Sequence, residues 1–226
     1  MKKVIFWDFD GTLAKSPKIW TNSLYNVLTN LNYKIDIEDV RLHLRTGYTW
    51  QMPEKSYTDN TGQLWWDRLF EHLDLFYKNH KVSEEDRIKA NSDFKNSILD
   101  TNNYSIYEGA EVVLSKCTQM GYKNYILSNN FPELILIING LGLAEYFIDY
   151  IISANIGYEK PRIEIFQYAQ KIADFPDICY MIGDNPVADI QGGKSAGMKT
   201  ILVHNNCISD ADYTVENLAE IPLLLN

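Results

Sequence analysis

The stretch Val4-Ile5-Phe6-Trp7-Asp8-Phe9-Asp10-Gly11-Thr12-Leu13 passes abruptly from apolar, β-prone residues to two carboxylates, a glycine and a threonine. This pattern predicts a buried strand that carries Asp8 and Asp10 to one edge of a sheet. Two aspartates so close together repel each other, so their partial burial favours a bound cation. A simpler interpretation is an Asp-Gly hairpin turn. However, Leu13-Ala14-Lys15-Ser16-Pro17 does not resemble the second strand that a hairpin needs.

The composition is that of an ordinary globular protein, with 226 residues, 46% of them hydrophobic and 23% charged. A net charge of −9 disfavours nucleic acids and anionic membranes as partners.

The apolar start is interrupted by Asp8 and Asp10 too early for a signal peptide, and no apolar run is long enough to span a membrane. The widely spaced Cys117, Cys179 and Cys207 favour buried, reduced thiols. We therefore expect a cytoplasmic monomer or homodimer whose partner is a small molecule.

Residues 15–100 have a different pattern from the rest of the chain, because their apolar residues recur at helical spacing. Asp36 and Ser83 are placed to cap two of the expected helices, and Ser83 has Asp86 three residues later. The chain before and after this segment alternates between strands and helices, as in a parallel sheet with helices on both faces. We therefore predict an α/β, Rossmann-like core made of residues 1–14 and 101–226, with an all-helical cap domain at 15–100.

Polar residues follow several of the predicted strands directly. Asp8, Ser128 and Asp184 each stand at the end of a separate strand, and Lys160 follows a fourth. The carboxyl ends of parallel strands share one edge of the sheet, so these groups are expected to converge there. Each element is weak in isolation: Ser128 could cap a helix, Lys160 could be a solvated lysine, and Gly183-Asp184-Asn185 could be a turn. All four groups together, each after a predicted strand and in this order along the chain, are much less expected by chance than any one of them.

This set of groups suits phosphoryl transfer. The Asp8 carboxylate can attack phosphorus to give an aspartyl-phosphate, and the Asp10 side chain can act as general acid and base. Asp8, Asp184 and the backbone carbonyl of Asp10 offer the hard oxygen ligands that Mg²⁺ prefers. The remaining predicted roles are phosphate contacts from Ser128, Lys160 and the backbone near Asn129, and an ion pair in which Asp189 holds Lys160.

The segments Asp8-Phe9-Asp10-Gly11-Thr12, Ser128-Asn129-Asn130, Lys160-Pro161 and Gly183-Asp184 with Asp189 resemble, in order, the four motifs of the haloacid dehalogenase superfamily. The resemblance covers the whole chain. It implies a Rossmann-like core with a mobile helical cap, Asp8 as nucleophile, Asp10 as acid and base, Ser128 and Lys160 as phosphate ligands, and Asp184 as a Mg²⁺ ligand. Dehalogenases carry Tyr at the position of Asp10 and phosphonate-cleaving members carry Ala, so Asp10 favours phosphate esters as substrates.

Other side chains have supporting or substrate-contacting roles in this interpretation. Thr12 and Asp189 are expected to support the site. Asn185 could assist the metal through a neighbouring group or simply form a turn, and the turn is favoured. The loop that contains Arg45, Tyr48 and Trp50 is expected to contact the substrate, the alternative being that Tyr48 and Trp50 pack inside the cap.

The expected activity is Mg²⁺-dependent hydrolysis of a small phosphorylated metabolite, such as a sugar phosphate, a phosphoglycolate-like acid or a nucleotide monophosphate. A sugar phosphomutase of the same family is the nearest alternative. A non-catalytic phosphate-binding regulatory protein is the alternative from another class. The residues do not decide between hydrolysis and mutase activity.

Overall fold

The computed structural model describes residues 1–205 and 207–225. Six parallel strands form one sheet in the order β5-β4-β1-β6-β7-β8, with β1 between β4 and β6. The opening stretch therefore occupies the middle of the sheet. The strands are β1 (Lys3–Trp7), β2 (Ala14–Lys15), β3 (Ser105–Ile106), β4 (Tyr122–Ser128), β5 (Phe147–Ile152), β6 (Ile178–Gly183), β7 (Lys199–Val203) and β8 (Tyr213–Val215).

Four helices follow β2 before the chain returns through β3. These are α1 (Ile19–Asn30), α2 (Ile37–His43), α3 (Gln63–Asn79) and α4 (Glu84–Ile98). We call the segment between β2 and β3, which contains these helices and their connecting loops, the helical insertion. The short strands β2 and β3 pair antiparallel, so the chain leaves and re-enters the sheet region at one place. The predicted α/β fold with an inserted helical unit is confirmed, while the domain bounds at residues 15 and 100 remain predictions.

The remaining helices connect the strands of the sheet. They are α5 (Ala110–Gln119), α6 (Leu134–Gly140), α7 (Ser153–Ile156), α8 (Ile163–Ile172) and α9 (Gly192–Ser195), and a π-helical segment (Pro186–Gln191) precedes α9. Short 3₁₀ turns occupy Thr49–Gln51, Thr101–Asn103, Ala144–Tyr146 and Leu218–Leu223. Among the described residues, no helix combines the length and apolar character needed to cross a bilayer.

The two faces of β1 pack into different layers, as the alternation of side chains along a strand requires. Val4 and Phe6 belong to a buried cluster with Phe166 of α8. Ile5 and Trp7 belong to a larger cluster that extends into the helical insertion. Burial of apolar side chains on both faces explains why β1 is a continuous apolar run.

Local capping agrees with the sequence at two helix starts. The Asp36 side chain accepts a hydrogen bond from the backbone N–H of Glu38, and the Ser83 hydroxyl accepts one from Asp86. Such side chains satisfy donors that a helix start leaves unpaired.

The prediction of three buried thiols is wrong for Cys207, which is exposed; Cys117 is buried and Cys179 is half-buried. Cys207 lies in the segment between β7 and β8.

Candidate active site

Lys160 lies in the middle of the cluster at the carboxyl edge of the sheet, with only 2% of its surface exposed. Its Nζ forms ion pairs with Asp189 Oδ1 at 2.6 Å and Asp8 Oδ1 at 3.0 Å, and donates to the backbone carbonyl of Leu127 at 2.8 Å. Burial lowers the pKa of Lys160, but the carboxylates of Asp189 and Asp8 outweigh that effect and raise it. The ammonium group therefore remains charged and fixed beside Asp8.

Asn129 fixes the backbone of Lys160 from the end of the neighbouring strand. Its side-chain oxygen accepts from the Lys160 N–H at 2.7 Å, and its amide nitrogen donates to the Lys160 carbonyl at 2.9 Å. These two hydrogen bonds occupy both ends of the amide. The Asn129 side chain therefore positions Lys160. Ser128, the residue before Asn129, is buried and lines a cavity over the site.

Asp10 is held by donors on both of its carboxylate oxygens. The Ser16 hydroxyl donates to Oδ1 at 3.1 Å and the Asn130 amide donates to Oδ2 at 2.8 Å. Burial raises the pKa of Asp10 to about 6, the nearby charge of Asp8 adds to this rise, and the two hydrogen bonds oppose it. A carboxyl group that titrates near neutral pH is suited to both donating and accepting a proton.

Asp184 meets the loop after β1 from the end of β6. The Thr12 hydroxyl lies 3.5 Å from Asp184 Oδ1, at the limit of a hydrogen bond. Gly11 has a φ of +82°, and a Cβ at that position would lie 2.4 Å from Asp184 Oδ2. Glycine is therefore required both by the left-handed backbone and by the close approach of the Asp184 carboxylate. Burial, with a smaller contribution from Asp8, raises the pKa of Asp184 to about 6.

Asp189 is fully buried and uses both of its oxygens within the protein. Oδ1 contacts Lys160, and Oδ2 accepts from the Asn185 N–H at 3.0 Å. Burial raises the pKa of Asp189, and the Lys160 ammonium opposes this rise. The Asn185 side chain accepts from the N–H groups of Val187 and Ala188, both at 3.0 Å, so it caps the π-helical segment as a turn residue would.

The residues fit a divalent cation on the chemistry of their oxygen donors. Carboxylate oxygens of Asp8, Asp184 and Asp189 all lie within 4.8 Å of one another. Because both Asp189 oxygens are already engaged, Asp8 and Asp184 are the side chains left to hold a metal. Hard, anionic oxygen ligands of this kind suit Mg²⁺.

His204 and Asn205 support the site but were given no role from the sequence. Asn205 donates its amide N–H to the backbone carbonyl of Asp184 at 2.9 Å, and His204 Nε2 lies 3.2 Å from the backbone carbonyl of Thr12. Both follow β7 directly, at the edge of the sheet where Asp8 and Asp184 also emerge. Polar residues that directly follow parallel strands meet at one edge of the sheet, and this pattern, which identified Asp8 and Asp184, also indicates His204 and Asn205. Ser16 and Asn130 were missed as partners of Asp10 because only the folded chain brings them together.

A cavity of about 940 Å³ opens over these groups, between the sheet edge and the helical insertion. Asp8, Asp10, Ser128, Lys160 and Asp184 line it from the sheet side. Asn129 and Asn185 also line the cavity, whereas Thr12 and Asp189 are buried beside it, and Arg45, Tyr48 and Trp50 line the opposite side.

Glu159, next to Lys160, joins the helical insertion to the sheet region. It is 1% exposed and forms side-chain hydrogen bonds with Thr49 of the insertion and Ser153 at the start of α7. Its Oε2 has no hydrogen-bond partner among the described residues. Burial raises its pKa to about 7, while Thr49, Ser153 and the Lys160 charge oppose the rise.

Comparisons with known proteins agree with this geometry. A curated relative from Pyrococcus abyssi, named glyceraldehyde 3-phosphate phosphatase, is 31% identical over 210 residues, which cover 89% of this chain and 81% of the relative. A human relative, haloacid dehalogenase-like hydrolase domain-containing protein 3, is 36% identical over 101 residues. That match covers 44% of this chain and 40% of the human protein, so the chain spans about two fifths of that relative's length.

The solved structure of YfnB from Bacillus subtilis, described as a HAD-hydrolase bound to magnesium, has a similar fold. Its TM-score is 0.73 at 19% identity, and the match covers 99% of this chain and 98% of YfnB. A family model for haloacid dehalogenase-like hydrolase matches residues 2–197. This chain belongs to the haloacid dehalogenase-like hydrolase family.

Proposed function

We propose that this chain is a Mg²⁺-dependent phosphatase that hydrolyses a small phosphorylated metabolite through an aspartyl-phosphate on Asp8. The observation that supports it most strongly is the separation of roles between two nearby aspartates. The Asp8 carboxylate is paired with the buried Lys160 ammonium, whereas the Asp10 carboxylate accepts hydrogen bonds from Ser16 and Asn130. One carboxylate is thus suited to attack and the other to proton transfer.

The reaction proceeds in two displacements at phosphorus. In the first, a carboxylate oxygen of Asp8 forms a bond to phosphorus as the bond to the ester oxygen breaks, and Asp10 gives its proton to the departing oxygen. In the second, Asp10 takes a proton from water, whose oxygen attacks phosphorus. The acyl-phosphate bond then breaks, which releases phosphate and restores the Asp8 carboxylate and the Asp10 acid.

Asp8, Asp184 and the backbone carbonyl of Asp10 would hold a Mg²⁺ ion. A bound ion would offset the repulsion between the phosphoryl oxygens and the carboxylates. Ser128 and Lys160 contact the phosphoryl oxygens from the other side, with backbone N–H groups near Asn129. Thr12, Asn185 and Asp189 keep these groups in position, and Asp189 does so through its ion pair with Lys160.

The helical insertion acts as a cap that covers the departing group. Arg45 lines the cavity opposite Asp8, which supports a role in substrate contact. Tyr48 and Trp50 also line the cavity, but their rings stack on each other, as the alternative of packing inside the cap expects. The description of YfnB reports interdomain movement, and a similar movement of residues 15–100 would admit substrate and then exclude water. The cavity of about 940 Å³ is sufficient for a metabolite the size of a sugar phosphate or a nucleotide monophosphate.

Phosphate release from an aryl phosphate tests the proposal. Wild-type protein should release phosphate with Mg²⁺ and lose that activity with EDTA. Asp8→Asn should lower kcat by about 1,000-fold or more, because an amide is a poor nucleophile. Asp174→Asn is the matched control, since Asp174 is an exposed carboxylate that contacts Lys2 near the opposite edge of the sheet. Metal-independent release, or equal activity in Asp8→Asn, would overturn the proposal.

A further inference from the structure

The two walls of the cavity carry opposite charge. The wall from the sheet presents Asp8, Asp10 and Asp184 beside Lys160. The opposite wall is formed by those residues between 15 and 53 that line the cavity. None of these lining residues is Asp or Glu, and four of them are cations: Lys15, Lys18, Arg41 and Arg45. Residues 15–100 as a whole contain 12 Lys and Arg and 13 Asp and Glu, so this wall is basic although the segment is not.

Two of these cations have no side-chain partner among the described residues. Arg41 pairs with Glu38 at 2.6 Å, and Lys15 lies over the ring of Tyr107 at 5.4 Å. Lys18 and Arg45 are exposed, and among the described residues their side chains form no hydrogen bond or ion pair. Two unpaired cations that face one cavity in a protein of net charge −9 are available to an anionic ligand.

The backbone at both cations is held by hydrogen bonds. Lys18, with a left-handed φ of 58° immediately before α1, accepts a hydrogen bond at its carbonyl from the Asn22 N–H at 2.9 Å. The loop of Arg45 is tied by Gln51, whose amide donates to the Arg45 carbonyl at 2.6 Å and whose oxygen accepts from the Tyr48 N–H at 3.1 Å. These hydrogen bonds limit the backbone entropy that would be lost when the two cations bind a ligand.

Two aromatic residues of the same wall, Tyr48 and Trp50, already have stacking partners. Tyr48 stacks on Trp50 with ring centroids 4.5 Å apart and 8° between the planes, and Trp50 stacks on Trp65 at 5.7 Å. Recognition by stacking of a nucleobase would compete with these internal contacts. The wall therefore offers charge, rather than a free aromatic face, to the departing group.

We infer that the departing group of the substrate carries a second anionic group, a carboxylate or a phosphate, which binds Lys18 and Arg45 while Asp8 attacks the phosphoryl group. This inference rests on the proposed phosphatase function and narrows its substrate class. Guanidinium and ammonium groups bind both kinds of anion through charge-assisted hydrogen bonds. The second anion lies at the basic wall, away from the carboxylates that would repel it.

The test compares kcat/KM for substrates matched except for the second anion, with Mg²⁺ present. One arm pairs 3-phosphoglycerate with glycerol 3-phosphate, and the other pairs glucose 1,6-bisphosphate with glucose 6-phosphate. We expect the anionic member of at least one pair to be preferred about tenfold or more, the effect of one charge-assisted hydrogen bond. The arm that shows the preference tells whether the second anion is a carboxylate or a phosphate.

Variants then link the preference to the two cations. Lys18→Ala and Arg45→Ala should each lower the ratio of kcat/KM between the paired substrates by about fivefold or more, mainly through KM. Arg45→Lys should restore part of the ratio, and Arg45→Glu should favour the neutral member. Lys34→Ala is the matched control, because Lys34 is exposed and does not line the cavity.

The outcomes separate the inference from the proposed function. An aryl phosphate that is hydrolysed with Mg²⁺, together with no preference in either arm or a ratio unchanged in both variants, would overturn the inference alone. Failure to release phosphate from every substrate, the aryl phosphate included, would overturn the proposed function and the inference with it. A preference that is lost in Lys18→Ala and Arg45→Ala but retained in Lys34→Ala would support both.

Discussion

Asp8 and Asp10 stand two positions apart in sequence but have different neighbours. Asp8 lies 3.0 Å from the buried ammonium of Lys160, whereas Asp10 accepts from the neutral donors Ser16 and Asn130. Burial without a paired cation raises the pKa of Asp10 to about 6, which suits proton transfer. In the proposed mechanism, the surroundings of the two side chains, rather than the residue type, thus separate the nucleophile from the acid and base.

Two substitutions at Asn130 test this separation. Asn130→Ala removes the 2.8 Å hydrogen bond to Asp10 and should lower kcat for an aryl phosphate about tenfold. Asn130→Asp retains an acceptor for the Phe131 N–H but places a second carboxylate against Asp10. It should lower kcat further, by about 100-fold, because two adjacent carboxylates repel each other. Equal kcat values for the two variants would contradict this account of Asp10.

The convergence of Asp8, Ser128 and Asp184 could be predicted because each stands at the end of a strand with a clear apolar pattern, whereas Lys160 follows β5 only after the short helix α7. Asn205 follows β7 at the same edge of the sheet, and it could have been predicted in the same way. Asn130 could not be predicted as the partner of Asp10, because it reaches Asp10 across 120 residues of sequence. A side chain whose role depends on such a distant contact has no local sequence signal.

Among the larger elements, the long helices and the central strands were predictable and the short elements were not. Helix α3 carries apolar residues at helical spacing over 17 residues, which gives a strong periodic signal. Strands β2 and β3 contain two residues each, too few to show an alternation. The π-helical segment Pro186–Gln191 could not be predicted as such, since periodicity does not distinguish a π-helix of six residues from an α-helix.

The contact between the helical insertion and the sheet region is sensitive to pH through Glu159. Its pKa is raised from 4.5 to about 7 in the folded protein, so folding favours the protonated form. The free energy of unfolding should therefore fall as pH rises from about 4.5 to 7, by at most roughly 3 kcal/mol from this group. Glu159→Gln keeps hydrogen-bonding groups for Thr49 and Ser153 and removes the charge.

Urea unfolding of wild type and Glu159→Gln at several pH values measures this contribution. We expect the variant to be more stable than the wild type at pH 8 and about as stable at pH 4.5, because the wild-type carboxyl is protonated there. Glu164→Gln serves as a control for charge loss, since Glu164 pairs with Arg162 near the surface. A stability difference between wild type and Glu159→Gln that does not change with pH would contradict the assigned burial of the charge.

For the molecule as a whole, metal binding should increase stability. Asp8 and Asp184 raise each other's free energy when both are ionised, and a bound cation relieves this repulsion. Saturating Mg²⁺ should raise the free energy of unfolding by about 2 to 3 kcal/mol at 100 times its Kd. Thermal unfolding with Mg²⁺ and with EDTA gives the shift in Tm without any need for turnover.

The Asp184→Asn variant identifies the source of that shift. It should lose most of the Mg²⁺-dependent rise in Tm, whereas Asp174→Asn should keep it. Asp189→Asn is informative as well, because both Asp189 oxygens are engaged by Lys160 and Asn185. If Asp189→Asn abolished the shift and Asp184→Asn did not, the assignment of the metal ligands would be wrong.

In the proposed mechanism, the phosphoryl group is transferred to Asp8 before it reaches water. The configuration at phosphorus after turnover of an ester whose phosphoryl group is chiral through oxygen isotopes tests this transfer. Two in-line displacements each invert the phosphorus, so we expect overall retention. Overall inversion would show that water attacks the ester directly, and would contradict the role of Asp8 as nucleophile.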